Sequence, residues 1–482
     1  MNRNNHIVLP LMVAAVAQSL LTSVLQAAEQ PGVLKIGSRR ELFVDRYLID
    51  RLEGAALRLQ KPTPREVAIV FDQPWEGNNC GYQTFFQDGN IFRMYYRSGH
   101  RDNKTGRESV QRTCYAESRD GIHWVRPQLG LVEFQGSKRN NIIREGFGTH
   151  NFVPFKDTNP ECKLDEKYKA VARDKGGLYA FKSANGIHWS KVSDRPIITK
   201  GAFDSQNVAF YDSVRSRYVS FHRGFKDGVR DILTCTSNDF LHWTEPVWLE
   251  YPGAPIEHLY INQVLPYHRA PHIFVGFPNR FVTHRNPKNH IHSGVCDGLF
   301  MTSRDGLVFH RWLEAHIRPG FVVDRWYARN NRTAWGILET KADIPGTPHQ
   351  LSIYSSAGYT QGKTCWLRRY TMRMDGFVSV QAPLKGGQLI TKAIQFEGQD
   401  LVINYSTSAA GSVRVEIQDG RGSPLEGFTV NDCDEIYGDQ LERVVTWKGS
   451  SDIGRLAGQT IRLRFELKDA DLFSLQTRQR NR

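Results

Sequence analysis

The sequence has little cysteine and no cysteine pairing pattern. Seven cysteines stand singly along 482 residues, with no Cys-x-x-Cys pair. A small disulfide scaffold and a zinc site built from paired cysteines are therefore excluded. Several cysteines, such as Cys114 and Cys235, lie in segments whose sequence is typical of β-strands. A buried free thiol is the expected state there, with one bridge in an oxidising compartment as the alternative.

Long apolar runs are absent after the N-terminal segment. The run at 7–25 follows Arg3 and ends just before Ala27 and Ala28. This pattern predicts a secretory signal peptide over 1–28, cleaved near Ala27 or Ala28, with an uncleaved anchor as the alternative. We expect a secreted or periplasmic protein without integral membrane contact.

The sequence has fewer acidic than basic residues. Lys and Arg number 63 against 50 Asp and Glu, which gives a formal net charge of +13. Such a chain suits an anionic partner. A nucleic acid partner is not expected, because no basic helix or known nucleic-acid module is present. The open alternatives are a sulfated or uronic polysaccharide and a basic surface without a specific partner.

Amphipathic helical periodicity is almost absent, and a repeated phrase stands in its place. The four copies are Ser-Arg-Asp-Gly-Ile-His-Trp at 118–124, Ser-Ala-Asn-Gly-Ile-His-Trp at 183–189, Ser-Asn-Asp-Phe-Leu-His-Trp at 237–243 and Ser-Arg-Asp-Gly-Leu-Val-Phe at 303–309. Ser and Asp or Asn form a tight turn, and the final aromatic residue returns to the core. Final aromatic residues 65, 54 and 66 residues apart allow one four-stranded blade per repeat and predict a β-propeller.

Counting back from the turn phrases gives five inner strands, starting near 81, 151, 207, 262 and 333. The predicted fold is all-β, with a five-bladed propeller over 33–385 and the segment 43–45 closing the ring beside the last blade. Clean alternation after Gly387 predicts a C-terminal β-sandwich over 388–477, followed by a basic tail at 478–482.

A polar cluster precedes each inner strand, and three of the five clusters contain a carboxylate. These acids are Glu76, Asp204 and Glu257. In a propeller the five clusters gather around one funnel mouth. Glycoside cleavage needs one carboxylic acid to protonate the leaving oxygen and a second as base or nucleophile. A third acid can tune the pKa of the first.

The arrangement resembles the five-bladed glycoside hydrolases of the invertase, levanase and arabinanase group. The resemblance implies that Glu76 is the base or nucleophile, Asp204 the transition-state support and Glu257 the general acid. The phrases Pro-Trp-Glu-Gly at 74–77 and Ala-Phe-Asp-Ser-Gln-Asn at 202–207 also resemble secreted bacterial hydrolase-like propellers. The invertase Asn-Asp-Pro-Asn-Gly motif and the Arg-Asp-Pro signature are absent, so retention or inversion is not predicted. Asp45 competes with Glu76 for the first role.

Neighbouring polar and aromatic residues are predicted to bind sugar. They are His150, Asn151, Asn207, His258, Tyr260, Trp75, Arg329 and Asp45. Trp75 and Tyr260 offer stacking surfaces for a pyranose face. The group Arg97, Arg173, Arg223 and Arg329 is expected to serve mostly in interblade ion pairs, with one or two members holding an anionic sugar.

The sequence therefore predicts a secreted glycoside hydrolase acting on oligo- or polysaccharide, with exo-action favoured by a funnel. A lectin-like propeller that binds without cutting is the alternative. Carboxylates about 5 to 9.5 Å apart favour hydrolysis, and acids each locked to an arginine favour binding or structure. A sialidase-type enzyme would instead show three converging arginines, a nearby tyrosine and six blades. No cofactor or metal cluster is predicted, and calcium in the channel is an option only at family level.

Overall fold

The computed structural model describes residues 32–286 and 292–480. The predicted signal peptide at 1–28 and the end of the basic tail lie outside these ranges. Four short strands open the described chain and a longer one follows. They are β1 (Leu34–Gly37), β2 (Glu41–Leu42), β3 (Ile49–Glu53), β4 (Ala56–Leu59) and β5 (Thr63–Val70). Within the described residues no helix is both long and apolar enough to cross a membrane.

Four blades follow in chain order, each an antiparallel four-stranded sheet. Blade one is β6 (Gly81–Asp88), β7 (Ile91–Ser98), β8 (Arg112–Ser118) and β9 (Ile142–Glu145). Blade two is β10 (Val153–Lys156), β11 (Tyr168–Asp174), β12 (Gly177–Ser183) and β13 (Ser190–Lys191). Blade three is β14 (Val208–Asp212), β15 (Arg217–Lys226), β16 (Val229–Ser237) and β17 (Val247–Trp248). Blade four is β18 (Leu265–Tyr267), β19 (Ala270–Gly276), β22 (Met301–Ser303) and β23 (Phe309–Arg311), with the inserted hairpin β20 (Asn279–Val282) and β21 (Val295–Gly298).

An N-terminal strand completes the fifth blade. This blade orders β24 (Leu338–Thr340), β25 (Gln350–Ala357) and β26 (Trp366–Met372) with β5 at its outer edge. Joining the two ends of the ring protects its edges. The expectation that segment 43–45 closes the ring is wrong, because β5 does so. Short 3-10 turns occur at Leu164–Glu166, Val323–Arg325 and Gly454–Leu456.

The C-terminal strands form one ten-stranded sheet with β1–β4. They are β27 (Val378–Ala382), β28 (Gly387–Thr391), β29 (Ile394–Phe396), β30 (Asp400–Asp419), β31 (Asp439–Val444) and β32 (Ile461–Arg478). The register of β30 against β32 shifts between Thr407 and Ser412. The two long strands bend there, and the sheet folds over a core that includes Phe465 and Trp447. The all-β class, the five-bladed propeller and the C-terminal sandwich are confirmed, but residues 34–59 pair with the sandwich and not with a blade.

The blade topology separates two edges of the propeller. In an antiparallel blade the first and third strands run the same way, so each inner strand begins at the edge where the second strand ends. We call this edge the mouth. The turn phrases follow the third strands and lie at the opposite edge. Their predicted turns are confirmed: Asp120 Oδ1 accepts from the backbone N–H groups of Ile122 and His123 at 2.8 Å.

Three glutamines close the axis below the mouth. Gln206 Nε2 donates to the carbonyl oxygen of Gln83 at 3.1 Å, which links blades three and one. Gln263 Nε2 donates to Gln206 Oε1 at 2.9 Å and to the carbonyl oxygen of Thr333 at 2.8 Å. All three side chains are buried. The mouth is therefore a funnel with a floor and not an open pore.

All seven cysteines are free thiols in the described structure. Six are buried, and Cys162 is half-buried. The prediction of buried free thiols is confirmed for Cys114 and Cys235. Burial raises the pKa of the Cys235 thiol to about 12, so this side chain behaves as a small apolar core residue.

A buried acid at the opposite edge predicts acid sensitivity. Glu41 contacts Arg304 at 2.7 Å, Arg39 at 2.6 Å and His272 at 3.2 Å. Burial raises the pKa of Glu41, but His272 and Arg304 outweigh burial and lower it from 4.5 to about 2. A depressed carboxyl pKa stabilises the fold above the unfolded value, and this stability is lost as the pH falls from 4.5 towards 2. The expected contribution is about 3 kcal/mol.

Denaturant titrations of native protein and Glu41→Gln at a series of pH values check this contribution. The difference between their free energies of unfolding should be largest above pH 5 and shrink as the pH falls towards 2. A difference that stays constant with pH would show that Glu41 acts through packing and not through its charge.

Candidate functional site

Arginines and tyrosines from several blades meet at the mouth. Tyr82 begins the inner strand of blade one, and Arg97 lies near the end of the second strand of that blade. Tyr359 follows β25, and Arg332 precedes β24. The Arg97 guanidinium carbon lies 4.7 Å from the Tyr82 ring centre, and that of Arg332 lies 4.1 Å from the Tyr359 ring centre. We call these residues, with Arg223, Arg230, Arg329, Tyr260 and His150, the funnel cluster.

The Tyr359 hydroxyl is polarised by cations. Arg97 Nη2 donates to this oxygen at 2.7 Å. Burial alone would raise the pKa of Tyr359, but Arg97, Arg332 and Arg329 outweigh it and hold the pKa below its usual value. Tyr82 behaves in the opposite way, because burial raises its pKa. Tyr359 is thus the phenol of the cluster that is easier to ionise.

Five arginines at the mouth lack a carboxylate partner. Within the described ranges no ion pair joins an acid to Arg97, Arg173, Arg230, Arg329 or Arg332. Arg97 and Arg332 are each only 4% exposed, and no nitrogen of the Arg332 guanidinium has a hydrogen-bond partner. Burying an unpaired charge costs several kcal/mol. The expectation that these arginines serve mostly in interblade ion pairs is therefore wrong for Arg97, Arg173 and Arg329.

Like charges crowd the same space. Burial, together with the charges of Arg223 and Arg329, lowers the pKa of Arg230. Asp204 brings a carboxylate to this space and pairs with Arg223. Tyr82 reaches the same segment, since its hydroxyl donates to the Asp204 carbonyl oxygen at 2.9 Å. The cluster is left with a large positive excess that an anionic ligand would neutralise.

The backbone around the mouth is strained. Tyr82, Gln263, Arg329 and Asn331 have φ values of 54°, 50°, 63° and 58°. A side chain other than glycine in this left-handed region costs about 1–2 kcal/mol. All four lie where inner strands begin, at the floor and wall of the funnel. Such strain is concentrated at binding sites in many proteins, where it fixes side chains in position.

His150 enters the cluster as a neutral ring. Its ring centre lies 5.9 Å from that of Tyr82, and Gln111 Oε1 contacts Nδ1 at 2.8 Å. Nε2 is buried without a partner. Burial, then Arg97, Arg173 and Arg223, lowers the pKa of His150 to about 3. The ring thus keeps a nitrogen for a ligand without adding charge.

This neutrality predicts a flat pH response. Affinity for an anionic saccharide should show no step between pH 5 and 8, because His150 titrates near 3 and arginine stays charged. Calorimetric titrations of the saccharide into native protein and into His150→Gln, at several pH values, measure this affinity. A step near pH 6.5 that disappears in His150→Gln would contradict the assigned protonation state.

Glu76 lies on the other face of blade one. Its Oε1 accepts from the Tyr96 hydroxyl at 2.5 Å and from Arg126 Nε at 2.9 Å, and its Oε2 accepts from Arg126 Nη2 at 3.0 Å. Tyr96 and Arg97 are neighbours in β7 and therefore point to opposite faces. Glu76 is 3% exposed, and burial raises its pKa against the effect of Arg126. These are the contacts of a structural ion pair.

The other two predicted acids differ in accessibility. The side chain of Asp204 is 58% exposed at the mouth despite its pairing with Arg223. Glu257 is bound by Arg311 at 2.5 Å and Arg280 at 3.3 Å. It lines a separate cavity of about 440 Å³ that Arg311 also lines. The predicted meeting of Glu76, Asp204 and Glu257 is not observed, since each contacts arginines of its own.

Asp45 and Trp75 also lie away from the mouth. Asp45 contacts Arg304 at 3.2 Å, and Arg304 belongs to the turn phrase of blade four at the opposite edge. The Trp75 indole N–H donates to Asn141 Oδ1 at 2.7 Å beside the outer strand of blade one, and its ring packs 6.0 Å from Phe134. Neither side chain adjoins the funnel cluster through these contacts.

Asn151 and Asn207 support the backbone of the mouth. Asn151 Nδ2 donates to the carbonyl oxygens of Phe203 and Ser205, and Asn207 Nδ2 donates to the same two oxygens at 3.0 and 2.9 Å. Asn207 keeps only Oδ1 unpartnered. His258 Nδ1 accepts from the Arg230 backbone N–H at 3.1 Å. These contacts hold the loops that carry the funnel cluster.

Tyr260 and Arg329 do lie in the cluster. The Tyr260 ring centre is 5.1 Å from the Arg223 guanidinium carbon and 6.0 Å from that of Arg230. Sequence reasoning missed Tyr82, Arg230, Arg332 and Tyr359. The sequence did contain one sign that the mouth is rich in arginine. Arg97, Arg173 and Arg223 occupy similar places in the second strands of blades one to three. No comparable repeat marks Tyr359, which lies at the start of the loop that follows β25.

Within 32–286 and 292–480, no three His, Cys, Asp or Glu side chains form a group that could hold a metal ion. The funnel cluster consists of five guanidinium groups, three phenol groups and the neutral imidazole of His150. The charge of this site is therefore set by arginine.

No protein-family model and no curated protein matches the chain. Among solved structures, one described as "Glycoside hydrolase" is similar at 14% identity and a TM-score of 0.43, over 66% of this chain and 93% of that one. The catalytic domain of a Coprinopsis cinerea GH62 alpha-L-arabinofuranosidase is similar at 10% sequence identity and a TM-score of 0.43. The match covers 66% of this chain and 99% of that one. A fructofuranosidase from Schwanniomyces occidentalis, complexed with fructosylnystose, is similar at 11% sequence identity and a TM-score of 0.38. The match covers 85% of this chain and 96% of that one. The fold assignment rests on the strand pairing above.

Proposed function

We propose that the protein is a secreted enzyme of the glycoside hydrolase type that takes an anionic oligo- or polysaccharide into the funnel. The observation that carries this proposal is the set of five arginines without an acidic partner. A uronate or sulfate group would supply the missing negative charge, and guanidinium binds such groups with two parallel hydrogen bonds. The buried rings of Tyr82 and Tyr260 pack against the guanidinium groups of Arg97 and Arg223 and hold them in position.

Two groups at the mouth are placed for bond cleavage. Asp204 is the exposed carboxylate, and Tyr359 is the phenol held by Arg97. A tyrosine nucleophile is known among glycosidases that act on acidic sugars. The mouth has the arginines and the tyrosine expected of a sialidase-type site, although the ring has five blades. We assign Tyr359 the attack on the anomeric carbon, with its phenol proton released to water. Asp204, in its protonated form, would give its proton to the leaving oxygen as the glycosidic bond breaks, and water would then hydrolyse the bond between the sugar and Tyr359.

Binding without cleavage is the second candidate. It is favoured by the ion pairs of Glu76, Asp45 and Glu257, each of which contacts an arginine. Acids paired with arginines favour binding or structure, and Asp204, which is paired with Arg223 but 58% exposed, is the most accessible of the four. The two candidates share the substrate class and differ in whether a glycosidic bond breaks.

A panel of polysaccharides separates the candidates. Polygalacturonate, alginate and chondroitin sulfate carry negative charge, whereas dextran and starch are neutral controls. We expect binding and new reducing ends with an anionic polymer, loss of cleavage in Asp204→Asn and Tyr359→Phe, and full cleavage in Glu257→Gln. Binding without new reducing ends would support the lectin-like candidate. Binding restricted to the neutral polymers would contradict both.

Salt should weaken this binding. The ion pairs between ligand and arginines are screened as ionic strength rises, although less at buried groups than at exposed ones. We expect the dissociation constant for the anionic polymer to rise severalfold between low and physiological salt. Calorimetry at three salt concentrations measures it, and an affinity independent of salt would contradict an electrostatic site.

A further inference from the structure

A cavity of about 890 Å³, distinct from the one that Glu257 lines, lies beside the funnel. Its walls are the inserted hairpin β20–β21 of blade four and the segment 314–326. The volume is in the range of ligand pockets for molecules of several rings. No residue of the funnel cluster lines it, so it is a separate compartment.

The cavity and the funnel share a wall. Cys296 lines the cavity and lies close enough to Arg329 of the funnel cluster for the charge of that arginine to act on its thiol. Asn331 Nδ2 donates to the Cys296 carbonyl oxygen at 2.8 Å. Arg325 Nε donates to Asn331 Oδ1 at 2.6 Å. Cys296, Asn331 and Arg325 thus form a buried wall between the cavity and the segment that carries Arg329.

The lining combines unpaired cations with exposed aromatic surface. Arg318 and Arg285 are exposed, and neither forms an ion pair with an acid of the described ranges. Phe321 is fully exposed, and Trp326 is fixed by a hydrogen bond of 2.7 Å from its indole N–H to the Gly320 carbonyl oxygen. Arg280 is already bound by Asp297 at 2.7 Å.

We propose that this cavity binds further sugar units of the anionic saccharide that occupies the funnel. Arg318 and Arg285 would hold the acidic groups, and Phe321 with Trp326 would stack on the rings. The inference rests on the proposed function. It also changes one expectation from the sequence: a saccharide that extends into a side cavity binds along its length and not only by its end.

Affinity as a function of chain length tests the proposal. Size-fractionated oligogalacturonates and chondroitin sulfate oligosaccharides, from dimers to hexamers, are titrated into native protein by calorimetry. We expect hexamers of the bound series to bind at least about tenfold more tightly than dimers, because charged contacts are added beyond the funnel.

Two exposed variants with matched controls locate the effect. Arg318→Ala should weaken hexamer binding about tenfold, and Phe321→Ala about fivefold, with dimer affinity unchanged in both. Arg195→Ala on blade two and Tyr437→Ala on the sandwich are controls at exposed positions away from the cavity and should change neither affinity. Equal affinity for dimer and hexamer in native protein would overturn the assignment of the cavity and leave the proposed function unaffected. Failure of every acidic oligosaccharide to bind would overturn the proposed function itself.

Discussion

Arg332→Met is expected to lose anionic saccharide binding while the fold stays as stable as before or becomes more stable. The Arg332 guanidinium is buried and its three nitrogens have no partner. Removing it relieves a desolvation cost of several kcal/mol and forfeits cation–π contacts worth about 2 kcal/mol. Losing a charged hydrogen bond to the ligand should weaken binding about 10- to 100-fold.

Calorimetric binding and denaturant unfolding of the same preparations measure both quantities. Arg332→Lys keeps the charge without the planar fork, and we expect it to bind the saccharide more weakly than native protein and more tightly than Arg332→Met. A large loss of stability in Arg332→Met, with binding unchanged, would show that this arginine has a structural role.

Arg126→Met is expected to give the opposite outcome. It leaves Glu76 buried with no cation, and breaking a buried pair costs about 3–5 kcal/mol. Glu76→Gln should also destabilise the fold, by about 1–3 kcal/mol, because the half-buried Arg126 loses its closest acidic partner and keeps only Asp72 at 3.7 Å. Saccharide binding by the folded fraction should be unchanged in both variants, since the pair lies on the face of blade one away from Arg97.

The double variant Glu76→Gln with Arg126→Met sharpens this test. Replacing both members of a buried pair is often nearly neutral, so the double variant should be less destabilised than the sum of the single changes. Additive losses would mean that the two residues act independently. Loss of cleavage in well-folded Glu76→Gln would restore Glu76 as a catalytic candidate.

The repeated turn phrase allowed the propeller to be predicted because its residues interact locally. Ser118, Asp120 and their copies bond within a few positions, so the phrase carries its own structure. The closing strand was not predicted. The pairing of β5 with β26 joins Val70 to Trp366, and such long-range pairing leaves no mark in the residues nearby.

The site was harder to predict than the fold. Position along the chain placed Glu76 before an inner strand, but the direction of its side chain depends on Arg126, fifty residues later. Asp204, His150, Tyr260 and Arg329 do lie at the mouth, and their roles in binding or cleavage stay predictions. Glycoside cleavage needs carboxylates, so the prediction centred on acids. The charge of the mouth comes instead from arginines, and only the three-dimensional structure shows that these arginines have no acidic partner.

A matched pair of ligands tests the central claim most directly. The bound acidic oligosaccharide and its carboxyl-reduced or desulfated counterpart have the same sugars and differ in charge. Calorimetric titration of both into native protein should show binding of the acidic form and at least about 100-fold weaker binding of the neutral form, since charged contacts supply most of the affinity. Equal affinities would contradict the account that the unpaired arginines of the funnel select an anionic saccharide.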